Sequence, residues 1–573
     1  VLVTIVAMAG CARLVAVSTV LAAGLAGCGG GGEQGSGAGP APPGGGAPLS
    51  DAEAARFLTQ ATFGATDADI NALKSLGYAR WVDMQVTLPS SSHQAYMDNR
   101  LVQLRITQPS ATLNANHFYE SFWLQAATAQ DQLRQRMKLA LSEIFVISLL
   151  DPGVDARGAG AYYDMLGANV FGNFRTLLQQ VSLHPMMGVY LTHLANQKED
   201  PTTGRNPDEN FAREVMQLMT IGVNRLNPDG TVVTDGSGVP VPAYTPADIS
   251  GLARVFTGMS WYSPTPTNNT FFGRNRDPDA SVRPMIFYPA FHSTSTKTFL
   301  GTTVASADAA TELGQALDVI FNHPNVGPFI GRQLIQRLVT SNPSSAYVRR
   351  VAAVFDDNGA GVRGDLAAVV RAVLFDAEAR DMSAVGSGAF GKVREPMVRL
   401  VNWMRAFGAT SVSGNWLITS TSSSLSLAQS ALAAPSVFNF FRPGYVPPNT
   451  RLGSAGLNAP EFQIVDEVTV AGYANTIQGA IGTGIGSGAD VRSAYQAEVA
   501  VADDATQLAD RMNRLLLYGQ MSTTLRAHIV ECVNSVAIPG AGASQTQIDT
   551  ARLNRAKLAV YLTMISPEYL VQR

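Results

Sequence analysis

Between Asn206 and Leu218 the chain sets amides, carboxylates and one arginine at helical spacing. If the whole run is a helix, Asn206, Asn210, Arg213 and Gln217 fall within about 60° of one another with Glu214 beside them. Phe211, Val215, Leu218 and Met219 then take the other face. A solvated face normally favours Lys and Glu, and Asn is a weaker helix former. The pattern predicts a buried hydrogen-bonded network in which Arg213 bridges carboxylates and loop carbonyls and locks helices together. On that reading Arg213→Ala destabilises the fold by about 2–4 kcal/mol, and Arg213→Lys rescues poorly because an ammonium lacks the fork of donors. The chemical alternative makes Glu209, Arg213 and Glu214, with a histidine such as His292, the catalytic groups of a hydrolase.

Seven histidines supply the other candidate chemistry. His184 and His323 each precede a proline, which puts them in extended or turn backbone at a helix boundary. His292 stands in the run Phe291 to Lys297. Convergence of His184, His292 and His323 on Glu209 or Glu214 would bind a divalent metal, but no short ligand spacing supports it, and capping or core hydrogen bonding is the expected role of each. No cofactor is indicated. Gly-x-Ser-x-Gly, His-Glu-x-x-His, P-loop and Ser-x-x-Lys signatures are all missing. Gly484 to Ala489 matches a dinucleotide fingerprint variant, yet no βαβ alternation surrounds it, so it reads as a Gly/Ser loop.

The elements that must position these groups are mostly helices. Ser50 with Glu53, and Thr66 with Asp69, are N-terminal capping signals, and Gly64 and Gly77 end the segments they open. A long apolar stripe runs from about Asn116 to Leu149 before Pro152. Similar runs lie near 174–196, 207–222, 246–258, 308–321, 325–339, 344–356, 364–376, 393–407, 504–517 and 546–565. Two stretches read as β: a hairpin-like run from Thr231 to Val241 around Asp235 and Gly236, and Arg283 to Val304. The fold class is mainly α: a large multi-helix body over 51–573 with a small β-hairpin insertion at about 229–304.

The N-terminus says where such a body is placed. Leu14 to Ala26 is uncharged, small and apolar, and ends in Leu25, Ala26, Gly27 and Cys28, a lipobox. It resembles bacterial lipoprotein signals, which implies a signal peptide at 1–27, lipidation of Cys28 and anchoring by acyl chains. Thirteen residues are too few for the roughly 20 that span a bilayer. Gly29 to Ser50 holds 10 Gly and 4 Pro in 22 residues, so 28–50 reads as a tether reaching about 25 Å. Gly29, rather than an Asp that would resemble an inner-membrane retention signal, favours the outer membrane of a Gram-negative envelope. With Cys11 in the signal and Cys28 lipidated, only Cys532 is left, which leaves no intramolecular disulfide and no thiolate zinc site.

Composition narrows the partners. In 573 residues, 41 Lys+Arg face 44 Asp+Glu, and 46% are apolar. A net charge of −3 without a basic cluster excludes an electrostatic grip on nucleic acid.

Several ordered motifs carry a family resemblance across essentially all of 51–573. They are Ala55 to Gly64; Glu209 to Glu214 with Ile221 and Gly222; Tyr244, Thr245 and Asp248 with Ala253, Arg254, Thr257 and Gly258. Further on come Phe291, His292 and Lys297 to Gly301; Gly391 to Pro396; and Ser436 to Tyr445. The chain resembles the bacterial domain-of-unknown-function family numbered 1800. The resemblance implies a secreted or envelope-attached, mainly helical protein without an established activity, often a companion of a second secreted family, number 1501, that is similar to sulfatases. Gln217 stands where many members have Glu, and Ser293 follows His292 where an acidic residue is common; both weaken a carboxylate-rich metal site. The expected function is a lipid-anchored binding or assembly protein for a secreted sulfatase-like partner or a surface polymer. The alternative is a metal-assisted hydrolase on Glu209, Arg213 and Glu214 with His184, His292 or His323.

Overall fold

The computed structural model describes residues 50–573 apart from 306–307 and 387. The signal-like segment, Cys28 and nearly all of the tether lie outside the described residues. The body is mainly α-helical, with short two-stranded antiparallel sheets scattered through it.

Local signals act where expected. Ser50 Oγ accepts from Glu53 N while Glu53 accepts from Ser50 N, satisfying two N-terminal donors of the helix Asp51–Ala61. Thr66 does the same for Asp69 N at the start of Asp67–Leu76. Helices Ala309–Phe321, Val326–Leu338, Ser345–Asp356, Leu366–Phe375, Pro396–Ala406, Ala505–Leu516 and Gln545–Met564 follow their periodic runs closely.

Three runs are broken where side chains or backbone demand it. The stripe 116–149 is two helices, Ala115–Thr128 and Gln132–Ser142. At the break, Asp131 accepts from Ser91 N, Ser91 Oγ and Gln135 Nε2, which fixes a loop there. The run 174–196 divides at His184 and Pro185 into Phe174–Leu183 and Pro185–Tyr190, as the restricted backbone before proline requires. The polar helix is only Asn210–Gln217. Asp208 turns the chain ahead of it, its carboxylate accepting from Asn210 N and its own N–H donating to Asn196.

The β content extends beyond the expected insertion. Around Asp235 the chain does turn back, with Asp235 N donating to Val239 O and Val241 N to Val233 O. It makes isolated bridges there instead of a regular hairpin, because Pro240 and Pro242 have no N–H to give a ladder. Met259–Ser260 pairs with Ile286–Phe287, and Lys297–Phe299 with Thr302–Val304. Outside 229–304, Lys392–Val393 pairs with Val571–Gln572, and Thr410–Ser411 with Val491–Arg492.

One apolar cluster runs through the molecule, and every residue of Gln132–Ser142 and of Pro396–Ala406 is buried. Cations survive in that interior by donating to backbone carbonyls. Arg134 reaches Gly167 O, Val86 O and Leu88 O at 2.7–3.2 Å. Arg405 reaches Gly64 O and Ala127 O, and pairs with Asp69. Gly64, at φ +126°, lets Asn402 pack against the backbone, since a Cβ there would lie 1.8 Å from Asn402 Nδ2. The C-terminal strand is pinned by Gln572 Nε2 donating to Leu338 O and by Arg56 donating to Arg573 O. That strand holds Lys392 and its neighbours at the end of Val326–Leu338, where charge gathers.

Candidate functional site

The polar helix is not the buried network its sequence predicts. Arg213 and Glu209 form an ion pair at 3.2 Å with side chains 44% and 40% exposed. Glu209 also accepts from Ser250 Oγ at 2.5 Å. Asn210 Nδ2 reaches Thr192 Oγ1 at 3.5 Å, and Asn206 is exposed, ahead of the helix. The stripe fails because the helix starts at Asn210, so Asn206 no longer shares its periodicity. Glu214 alone is deeply buried; one of its oxygens lacks a partner, and burial raises its pKa against the pull of Arg213. Gln217 is half-buried and leads elsewhere, as shown below.

Nor do the three histidines meet. His184 Nδ1 accepts from Met186 N and caps the following helix, and burial lowers its pKa to about 3. His323 Nδ1 accepts from Asn325 N. His292 does gain a carboxylate, but from Glu312, with Nε2 2.8 Å from Glu312 Oε2 and Nδ1 2.7 Å from Thr257 O. Lys297 stands 2.9 Å from the same carboxylate. Both ring nitrogens are engaged, so His292 straps the insertion to Ala309–Phe321. Ser293 donates to Glu199 at 2.9 Å. Among the described residues no three His, Cys, Asp or Glu side chains stand close enough to hold a metal.

A different set of residues converges on a cavity of about 300 Å³. Its mouth is apolar and partly exposed: Val223, Phe329, Phe438 and Phe441, with Arg442 stacked 4.5 Å over Phe438. Gln217 forms part of the wall. Its floor is Glu143, Gln333 and Arg337, each at most 5% exposed. Glu143 follows the buried helix Gln132–Ser142; Gln333 and Arg337 lie one turn apart on Val326–Leu338.

Behind the floor the charges are dense. Arg337 Nε stands 3.3 Å from Glu143 Oε2 without being directed at it, and Nη2 donates to Glu143 O at 2.9 Å. Glu395 accepts from Gln429 Nε2 at 2.7 Å and lies 3.8 Å from Arg136 and 3.7 Å from Lys392. Lys392 also pairs with Glu461 at 3.0 Å and donates to Arg337 O. As two ionised acceptors, Glu143 and Glu395 would leave Glu143 Oε1, Glu143 Oε2 and Glu395 Oε1 buried without donors. One proton between them removes the conflict. Burial and then Glu395 hold the Glu143 carboxyl well above the ordinary range. Burial would raise Glu395 too, but Lys392, the hydrogen bond from Glu143, Arg136 and Gln429 outweigh it and bring it to about 2. Two adjacent carboxyls thus take opposite protonation states, a protonated donor at the cavity and a carboxylate behind it. The pair titrates as a unit.

A second cavity of about 340 Å³ continues from the first, sharing Gly222, Val223, Phe329, Gln333, Pro443 and Gly444, and extends along Leu226, Val232 and Pro328. Together they form a groove whose second half also takes in Asn224, Arg332 and Gln336.

Sequence reasoning missed this site because Glu143 and Arg337 lie in stretches read as amphipathic helix, whose polar residues are assigned to solvent. The one local signal was Glu143 itself, the only charge between Leu139 and Leu150. The other walls were visible only as motifs of resemblance: Gly391 to Pro396 supplies the second carboxylate, Ser436 to Tyr445 the aromatic mouth, and Gln217 with Gly222 the rim.

A family model described as "Protein of unknown function (DUF1800)" matches residues 56–571, which includes every part of this cavity. No curated protein and no solved structure matches the chain.

Proposed function

The chain belongs to the DUF1800 family, and from that premise we propose that it is a lipid-anchored binding protein of the bacterial cell envelope. The anchor is Cys28, the tether is 28–50, and the groove above Glu143 is where the body holds its partner. The observation that supports binding is the groove itself: an aromatic, partly exposed mouth over a floor of buried polar side chains. The partner is a secreted protein of the sulfatase-like family 1501 or a surface polymer, held without nucleic acid.

The hydrolase alternative on Glu209, Arg213 and Glu214 is not favoured. Its arginine is half exposed, and His184, His292 and His323 are each committed to hydrogen bonds inside the chain.

Photo-crosslinking in intact cells tests the reading. A benzophenone side chain at Val223 or Phe438 should give an adduct with an envelope protein or polymer. The same group at Val102 or Ile106, which are exposed away from the groove, should not. Identical adduct patterns at all four positions would refute a groove-bound partner. Cys28→Ser should release the protein from membranes and abolish palmitate labelling; unchanged membrane retention would refute the anchor.

A further inference from the structure

A third cavity, of about 260 Å³, shares no lining residue with the groove. It lies among the strand pair Lys392–Val393 and Val571–Gln572, the buried helix Pro396–Ala406, the turn Pro460–Ile464 and the helix Glu467–Gly482. Its walls are mostly hydrocarbon, from Val393, Phe462, Ile464, Val470, Leu570 and Val571. Arg399 is the one charged residue that lines it, and Arg399 is only 4% exposed.

This cation has no counter-ion. Arg399 Nε donates to Arg394 O at 2.7 Å, and the guanidinium lies 4.7 Å over the Tyr473 ring, whose hydroxyl is also within its reach while donating to Met564 O. A guanidinium carries more N–H groups than these contacts use. The sealed, unpaired guanidinium nitrogens of the interior belong to Arg56, Arg134, Arg136, Arg337, Arg380 and Arg394; those of Arg399 are not among them, so its unused N–H edge is open to the cavity. Glu461 attracts Arg399 from a distance but pairs with Lys392 at 3.0 Å. The neighbouring Arg394 adds a second positive charge, donating to Leu516 O and stacking 4.5 Å over Tyr569. Aromatic faces stabilise both guanidiniums without neutralising them.

We propose that this cavity binds a medium-length alkyl carboxylate, its head on the Arg399 guanidinium and its chain running outward along the aliphatic walls past Val470. The site is additional to the groove and does not rest on it. Two carboxylate oxygens match the planar fork of donors, and one guanidinium balances a monoanion better than the nearly doubly charged head of a phosphate monoester. An esterified chain would leave Arg399 unpaired. Arg399 belongs to a fully buried helix whereas Val470 is 51% exposed, which sets the head deep and the tail toward the mouth. Wall burial then supplies affinity, and a volume near the lower end of ligand sites limits the chain length.

Calorimetric titration of the full chain with octanoate, octanol, octylamine and acetate near neutral pH tests this site. Octanoate should bind at least about tenfold tighter than octanol, as loss of a charge-assisted contact implies, and acetate and octylamine should not bind. Arg399→Lys keeps the charge but not the fork, so it should weaken octanoate about tenfold and leave octanol unchanged. Val470→Asp, on the half-exposed rim, should weaken octanoate about fivefold through lost burial and repulsion, with an unchanged thermal midpoint; it carries the test if Arg399→Lys fails to fold. Val223→Asp, in the groove, should bind octanoate as the wild type does. Absence of octanoate binding, equal affinity for octanol, or preference for octylamine overturns the carboxylate head. Equal affinity for acetate overturns the alkyl chain. Full octanoate affinity in Val470→Asp, or its loss in Val223→Asp, puts the ligand elsewhere and overturns the site.

Discussion

Two polar regions meet at Gln217 and differ in every property that matters for chemistry. On one side, Glu209 and Arg213 make an ion pair that is about two-fifths exposed. On the other, Glu143 and Arg337 are paired with side chains 2% and 5% exposed, among further buried charges. The residue types are the same, carboxylate and guanidinium. Water decides the difference, since it screens the first pair to little net value and forces the second set to redistribute a proton. Spacing of polar residues along a helix cannot reveal which case applies.

The largest expected effect lies in the buried set. Glu395→Ala removes the acceptor of Gln429 and the counter-charge of Arg136 and Lys392, so it should destabilise the fold by about 3–5 kcal/mol. Urea unfolding reads this directly, and a loss below about 1 kcal/mol would put Glu395 in the same class as the surface pair.

Next comes acid sensitivity. His184 and His193 are buried with pKa values lowered by burial to about 3 and about 4, and burial likewise lowers His93, with Lys138 adding to it. Each stays neutral in the folded state and titrates near its ordinary value of 6.5 when unfolded. Their contribution is therefore full above pH 6.5 and is lost as pH falls toward the folded values, at about 1.4 kcal/mol per pH unit for each. Unfolding free energies measured between pH 7 and pH 4.5 should decline with that slope, less steeply in His184→Gln. A flat profile would show that these rings are hydrated.

Glu143→Gln should be nearly silent for stability at pH 7, within about 1 kcal/mol, because an amide imitates a protonated carboxyl and can donate to Glu395. Glu143→Ala should cost more, by opening space and removing the hydrogen bond to Glu395. Equal losses in the two variants would place both carboxyls in the ionised state.

The smallest effect belongs to the exposed pair. Arg213→Ala should change the unfolding free energy by less than about 1 kcal/mol, and Arg213→Lys by no more. This replaces the loss of about 2–4 kcal/mol that a buried network would give. A midpoint shift as large as that of Glu395→Ala would erase the contrast between the regions.

Much of the helical body was legible because periodicity, caps and glycine stops are local properties. Ser50 with Glu53 and the runs ending at Phe321, Leu338 and Met564 needed no knowledge of the fold. The breaks at Asp131 and ahead of Asn210 were not legible, since each depends on a loop brought from far along the chain or on a turn made by its own side chain. The site was hidden for a related reason. Glu143 and Glu395 are 252 positions apart in sequence, and only burial gives their meeting a chemical consequence. His292 shows the intermediate case: its need for a carboxylate could be read, but the partner is Glu312 and not Glu209 or Glu214.

The central claim is that a proton resides on Glu143 at neutral pH. Infrared difference spectroscopy of the wild type against Glu143→Gln at pH 7 measures it directly. The account predicts a protonated-carboxyl carbonyl band in the wild type that disappears in the variant, with no loss of ionised carboxylate signal. A difference spectrum that shows only lost carboxylate bands would contradict it, and would mean that Glu143 and Glu395 are both charged.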